Sequence, residues 1–134
     1  MGNNFSAPLT QQLTRLFSMP PASFAWAQNN QGRTIGTSEG PLLDIWPDRA
    51  EVVATFPPDN ATLAARNAIL IQLLLSAMRP DWADPGRWLA EQLRQAKRFK
   101  PTKNVPTFDV TSTVYRVRLT WDMRLSQLTV RVPQ

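Results

Sequence analysis

The sequence predicts an α+β fold, an antiparallel sheet of about six strands with helices packed on one face, in the order α-β-β-β-β-α-α-β-β. Two observations support this prediction. Apolar residues recur at helical spacing near the N-terminus and again between residues 61 and 99. Apolar and polar residues alternate, with turn residues between the runs, across residues 23–56 and 113–132. The length of 134 residues suits a single globular domain covering residues 1–134.

The first predicted element is a helix in the segment SAPLTQQLTRLFSMPP. Its apolar stripe, at intervals of three and four residues, consists of Leu9, Leu13, Leu16 and Phe17. The two prolines that follow end the helix. The preceding MGNNFS has no signal-peptide pattern but matches M-G-x-x-x-[ST], so lipidation of Gly2 is an alternative to a simple capping role for Ser6.

Four short strands are expected next, in SFAWAQ, RTIGT, LLDIW and EVVATF. NNQG provides a turn between the first two, and Pro47 with Asp48 provides a turn between the last two. Glycines recur here every four residues, but no Gly-Lys-Ser/Thr follows them. A phosphate-binding loop is therefore not expected.

The segment ATLAARNAILIQLLLSAM predicts a helix with Asp59 or Asn60 as its N-cap. Almost every position is apolar, which favours a core helix buried on most of its circumference. It is expected to be too short and too interrupted to span a bilayer, which needs about 20 apolar residues. Asn67 falls on the side expected to be buried. We expect its amide to bond neighbouring backbone, the alternative being a polar contact across an interface or into a pocket.

A second amphipathic helix is predicted in PDWADPGRWLAEQLRQAKRF, with Asp84 as the cap and Pro85 at the first helical position. Its apolar face ends at Phe99, which we expect to be buried. Pro101 ends the helix, because the residue before a proline is pushed out of the α region. Lys100 and Lys103 should then project into solvent from an irregular segment. That segment should end near residue 106, before a strand that opens at residue 107 or 108.

The C-terminal region predicts two strands, TVYRVRLTW and LTVRV, folded around a turn at DMRL. In the predicted register Leu119 lies opposite Leu128 and Arg116 lies opposite Arg131. Tyr115 and Trp121 fall on the apolar side. Directly opposed arginines repel each other, so either water or an acidic group should lie beside them.

Composition restricts the chemistry that this chain can perform. It contains no cysteine and no histidine, which rules out disulfides, thiolate metal sites and histidine-based nucleophile systems. No cofactor and no metal are expected, and a cytoplasmic location is the natural expectation for a cysteine-free chain. Two acidic groupings are candidate sites. Asp44, Asp48 and Glu51 could hold a cation, but we favour a structural role in a turn. Asp81 and Asp84 could form a catalytic pair, but we favour a helix cap and an acid in a loop.

Positive charge is concentrated in the C-terminal third. Residues 91–134 contain nine arginines and lysines against three carboxylates, on a chain of net charge +5. All three lysines fall within the stretch KRFKPTKNVP. The candidate anion or nucleic-acid contacts are Arg94, Lys97, Arg98, Lys100, Lys103, Arg116, Arg118 and Arg131. The stacking aromatics of single-strand binders are not expected on this surface, so a solvated connection is favoured over a recognition element.

Two functions follow as expectations. The first is a small non-enzymatic interaction or accessory protein that associates with itself as a homodimer or homo-oligomer, or with a protein partner. Five tryptophans and a nearly all-apolar helix leave apolar surface available for this role. The alternative is binding of DNA or RNA through the phosphate backbone, with the basic C-terminal third as the contact surface.

Overall fold

A computed structural model describes residues 6–20, 22–29, 31–38 and 40–133, and side chains from residue 10 onward within those ranges. The lipidation alternative at Gly2 lies outside the described residues. Within these ranges the helices are α1 (Ser6–Ser18), α2 (Ala61–Met78) and α3 (Pro85–Arg98). The strands are β1 (Ala25–Gln28), β2 (Thr34–Thr37), β3 (Leu42–Trp46), β4 (Arg49–Thr55), β5 (Phe108–Ser112), β6 (Val117–Asp122) and β7 (Gln127–Pro133).

The seven strands form one antiparallel sheet in the order β1-β2-β3-β4-β7-β6-β5. The α+β class and the order of elements are as predicted, but the sheet has seven strands instead of about six. The additional strand is β5, which opens at Phe108 as expected and pairs with β6 at the edge of the sheet. Pro47 and Asp48 form the two-residue turn between β3 and β4, also as predicted.

The strand register separates an apolar core face from a polar outer face. Leu43, Val52, Val130 and Leu119 lie in one row across four strands and are at most 2% exposed. The residue beside each of these points to the opposite face of the sheet because side chains alternate along a strand. That outer row consists of Asp44, Glu51, Arg131 and Arg118.

Helix α1 packs against β3 on the core face through Leu13 and Phe17, two fully buried members of the predicted apolar stripe. The ring of Phe17 meets Phe24 edge-on at 5.4 Å, and Phe24 stacks on Trp26. Gly36 provides the space for this stack, since a Cβ at Gly36 would lie 2.5 Å from the Trp26 ring.

Helix α2 packs across β4 and β7 and forms the centre of the core. Asn60 is its N-cap, with the side chain accepting from the Leu63 amide at 3.0 Å. The Asn67 amide is fully buried, and its Nδ2 donates to the Thr55 carbonyl at 2.8 Å. The prediction that Asn67 bonds neighbouring backbone is therefore confirmed.

By length and apolar content, α2 is the one helix among the described residues that qualifies as a membrane span. The prediction that it is too short does not hold on those criteria. A core helix passes the same test. One third of α2 is buried inside the fold, including Leu70, Ile71, Leu74 and Leu75 against the sheet, so the predicted burial on most of its circumference is wrong.

Helix α3 packs on α2 and begins as predicted, with Asp84 accepting from the Arg87 amide and Pro85 at the first position. It ends at Arg98, before Pro101. Phe99 is half-buried rather than buried, with its ring 5.8 Å from that of Phe108. The irregular segment runs to residue 107, and Lys100 and Lys103 are exposed within it, as predicted.

Arg79, the residue that follows α2, connects the helices to the sheet at one corner of the fold. Its Nε donates to the Tyr115 carbonyl at 2.8 Å, and its Nη2 donates to the Pro133 carbonyl at 2.6 Å. The Tyr115 ring stacks on Trp82 at 4.2 Å. Burial, aided by the neighbouring Arg116, lowers the pKa of Arg79. This corner ties the helical layer to the ends of the sheet.

The predicted register of the C-terminal strands is wrong by two residues. β6 opens at Val117, and residues 113–116 form the turn that joins it to β5. Trp121 lies opposite Leu128, and Arg118 rather than Arg116 lies opposite Arg131. The turn is closed by Arg116 in the left-handed region, at φ 58°. Arginine is uncommon in that conformation, so the alternating pattern gave no sign of a turn.

Candidate functional site

The structure separates the eight basic candidates into two surfaces and a turn. Five lie on the last turns of α3 and in the segment that follows it, namely Arg94, Lys97, Arg98, Lys100 and Lys103. Arg118 and Arg131 project from the outer face of the sheet, opposite to the face that the helices cover. Arg116 lies in the turn between β5 and β6. The two groups therefore do not converge on one concave surface.

On the outer face, each arginine has a carboxylate partner. Arg131 Nε donates to Glu51 at 2.7 Å, and Arg118 Nη2 lies 3.2 Å from Asp109. Burial raises the pKa of Asp109, but hydrogen bonds from Thr120 and Thr107 and the charge of Arg118 outweigh it, so the pKa lies below its usual range. Neighbouring carboxylates thus lie beside the opposed arginines, which was one of the two expected arrangements.

The acidic grouping at the β3–β4 hairpin is divided among three arginines. Asp44 is 5% exposed and binds Arg33 through two hydrogen bonds of 2.7 and 2.6 Å. Asp48 pairs with Arg49, and Glu51 pairs with Arg131. In the described part of the chain, no three carboxylates are grouped so as to hold a metal ion. The structural interpretation of these acids accounts for their positions.

The second acidic grouping is Asp81 with Asp84. Asp84 caps α3, and its other oxygen lies 3.9 Å from Arg87 Nε, while Asp81 is exposed in the preceding turn. A capping carboxylate compensates amide groups at the start of a helix, which is a structural role.

The cations at the end of α3 differ from those on the sheet. Arg94 pairs with Glu91 one turn earlier. No described carboxylate lies within ion-pair distance of Lys97, Arg98, Lys100 or Lys103. All four side chains are exposed. This end of the helix layer therefore carries uncompensated positive charge.

Beside these cations lies an apolar cavity of about 540 Å³, between the start of α2, the end of α3 and the β6–β7 turn. We call it the α2–α3 groove. It is lined by Phe56, Pro57, Pro58, Ala61, Ala64, Ala68, Leu93, Ala96, Lys97, Trp121, Met123 and Ser126. Ligand sites in proteins typically enclose about 300–1,000 Å³ and are lined mainly by apolar side chains, and this cavity falls within that range of size and composition.

The groove exists because α2 presents only small side chains at its edge. Ala61, Ala64 and Ala68 recur at intervals of three and four residues, so they line one face of the helix. Trp121, which is half-buried, projects from β6 toward the same space. Lys97 is the one charged residue among the lining residues.

Lys97 was among the contacts predicted from the sequence, but the rest of the groove was not. Surplus apolar surface was expected from the tryptophans and the middle helix, with no position assigned to it. The alanine spacing in ATLAARNA was a usable signal, because it marks a face of the core helix that large side chains do not fill. The partners across the groove, Leu93 and Trp121, depend on tertiary packing and left no local signal.

Comparison with known proteins adds no relationship to this geometry. No protein-family model matches the chain, and neither the curated proteins nor the solved structures contain a significant match.

Proposed function

We propose that this chain is a small non-enzymatic interaction protein that binds its partner through the α2–α3 groove. The observation that carries the proposal is an apolar cavity of about 540 Å³ on the surface of the helical layer. Apolar surface exposed to water is unfavourable by about 25 cal/mol per Å², and covering it is a source of binding free energy. The groove also has aromatic walls in Trp121 and Phe56, residue types enriched at protein interfaces.

The rim of the groove extends this apolar surface. Met123 lines the groove and is 41% exposed, and Leu125, two residues along the same turn, is 61% exposed. Scattered single apolar residues are normal on a protein surface. Two exposed apolar residues in one turn, one of which lines the cavity, favour a partner that covers the turn as well as the cavity.

The proposal is tested with 8-anilinonaphthalene-1-sulfonate, a fluorescent probe with apolar rings and one negative charge. We expect the folded protein to bind it, and Ala68→Trp, which fills the groove, to abolish binding. Ala65→Trp is the matched control, since Ala65 is exposed on the same helix and does not line the groove. Circular dichroism establishes that both variants fold. Unchanged probe binding by a folded Ala68→Trp protein would refute the groove as the binding site.

Self-association is the second part of the proposal. β1 and β5 are the two edge strands of the sheet, and edge strands present unpaired backbone groups that pair readily with another chain. In β1, Ala25, Ala27 and Gln28 are exposed. Light scattering after size-exclusion chromatography tests self-association. A monodisperse monomer at high protein concentration would contradict it without bearing on the groove.

Nucleic-acid binding is the alternative function, and the uncompensated cations at the end of α3 favour it. It predicts that log affinity falls linearly with log salt, with a slope of about −0.9 per phosphate contact on double-stranded DNA. Replacing Lys97, Lys100 and Lys103 with alanine should flatten that slope for all sequences alike. Replacing Arg118 and Arg131 should leave it unchanged, because these arginines lie on the other face. If the protein binds no nucleic acid at low salt, this alternative function is refuted.

A further inference from the structure

We infer that the partner segment held in the α2–α3 groove is an acidic amphipathic helix. This inference rests on the proposed function and specifies the chemistry of the partner. It follows from three features of the groove: the spacing of its small residues, the extent of the apolar surface around it, and the sign of the charge at one end.

The shape of the groove suits a helix. It lies between two helices, and Ala61, Ala64 and Ala68 leave a strip of α2 without large side chains. Small residues let a second helix approach closely, with its larger side chains fitted between the ridges of the first. An amphipathic helix held in an apolar groove inserts its own side chains at i, i+3 or i+4, and i+7 as anchors.

The surroundings of the groove argue for a segment of chain over a small molecule. Leu125 lies beyond the lining residues and is 61% exposed, so a ligand confined to the cavity leaves it uncovered. A helix whose apolar stripe fills the groove can continue past Met123 and cover it. We therefore expect a partner that covers Leu125 as well as the cavity.

The charge at the α3 end selects acidic side chains. Lys97 lines the groove, and the exposed Arg98 and Lys100 follow it in the chain. The segment after α3 lies beside the groove, because Phe99 contacts Phe108 and Phe108 lies opposite Trp121, which lines the groove. Opposite charges at the rim of an interface set its orientation and increase the association rate.

The rim of the groove away from α3 carries less positive charge, so the acidic residues belong where the partner helix meets α3. Asp59, which follows the lining residue Pro58 on the α2 side, is exposed. The rim near Met123 is close to neutral, because Arg124 lies 3.7 Å from Asp122. The expected partner has its carboxylates gathered where the helix meets Lys97.

Three synthetic helical peptides test the inference. They share one leucine stripe at i, i+3 and i+7, and differ only in carrying Glu, Gln or Lys at the flanking positions of one end. Fluorescence anisotropy at low salt should rank their affinities Glu, then Gln, then Lys. Surface ion pairs are weak, so we expect about a tenfold difference between the Glu and Lys peptides, shrinking as salt is added.

Charge reversal in the protein provides the control. The double variant Lys97→Glu/Lys100→Glu should invert the ranking of the Glu and Lys peptides. Arg87→Glu makes the same type of charge change near the opposite end of α3, where the side chain is 88% exposed, and should leave the ranking intact. A preserved ranking in the double variant would overturn the placement of the acidic residues at Lys97.

The other outcomes separate this inference from the proposed function. Equal affinities for the three peptides overturn the acidic partner and leave groove binding standing. Binding of the anilinonaphthalene probe with no binding of any peptide overturns the helical partner in favour of a small apolar ligand. Failure of both the probe and the peptides to bind overturns the proposed function itself.

Discussion

Replacing Arg79 should destabilise the fold more than replacing any exposed arginine, because its guanidinium holds carbonyl groups from two distant segments. The two long-range bonds go to Tyr115 at 2.8 Å and to Pro133 at 2.6 Å. Hydrogen bonds that involve a charged group contribute about 1.5–3 kcal/mol each. Arg79 is only partly buried, so the lower end of that range applies, and Arg79→Met should cost about 3 kcal/mol.

Urea denaturation measures this loss. With a slope of about 2 kcal/mol per molar, typical of small domains, the midpoint for Arg79→Met should fall by about 1.5 M at an unchanged slope. Methionine keeps most of the packing of the arginine stem, so the change isolates the lost hydrogen bonds. Arg79→Lys should lose about half as much, since one ammonium group cannot reach both carbonyls in the geometry of a guanidinium fork.

Arg87→Met is the matched control. Its guanidinium is 88% exposed and lies 3.9 Å from Asp84, so the expected loss is below about 0.5 kcal/mol. A loss for Arg79→Met that equals the loss for Arg87→Met would refute the account of Arg79 as the connection between the helical layer and the sheet.

Two further predictions concern the sheet. Because the pKa of Asp109 is below its usual range in the folded protein, its ionised form stabilises the fold above about pH 4, and this contribution should be lost as pH falls through the folded-state value. Asp109→Asn should reduce the acid sensitivity of the urea midpoint, and an NMR titration that gives Asp109 an ordinary or raised pKa would contradict the assignment. Gly36→Ala should destabilise by about 1–3 kcal/mol, because its Cβ would lie 2.5 Å from the Trp26 ring. Gly40→Ala meets only ordinary contacts of 3.5 Å or more and should change the melting temperature little; equal effects of the two would contradict the packing argument.

Local signals in the sequence were sufficient to predict most of the helices and the first four strands. Asn60, Asp84 and Pro85 define helix starts by chemistry that operates within a few residues, so they could be identified without the structure. The same holds for the two-residue turn at Pro47 and Asp48, since proline restricts its own backbone.

The C-terminal register could not be predicted in this way. Residues 113–116 contain no glycine, asparagine or proline, and the turn is closed by Arg116 with a positive φ. The next turn has Ser126 at φ 48°. The positive φ of Arg116 and Ser126 is maintained by the pairing of β5, β6 and β7, which is a tertiary effect. The alternation of Tyr115 and Val117 therefore continued through a turn without any local interruption.

The candidate site was also predictable from the sequence only in part. Positive charge at the end of α3 was apparent from composition, and Lys97 was among the predicted contacts. The cavity beside it requires Leu93 from α3 and Trp121 from β6 to face the alanines of α2. These residues are separated widely in sequence, so no local pattern links them.

An NMR chemical-shift map shows whether the α2–α3 groove is the binding site. The Glu-flanked peptide is titrated into isotope-labelled protein, and the shifts of backbone amides and tryptophan indoles are followed. We expect saturable shifts at Ala64, Ala68, Leu93, Lys97 and the Trp121 indole, with the outer-face row through Glu51 and Arg131 unmoved. Shifts confined to the outer face or to the β1 edge, with the Trp121 indole unchanged at saturation, would show that the groove is not the binding site.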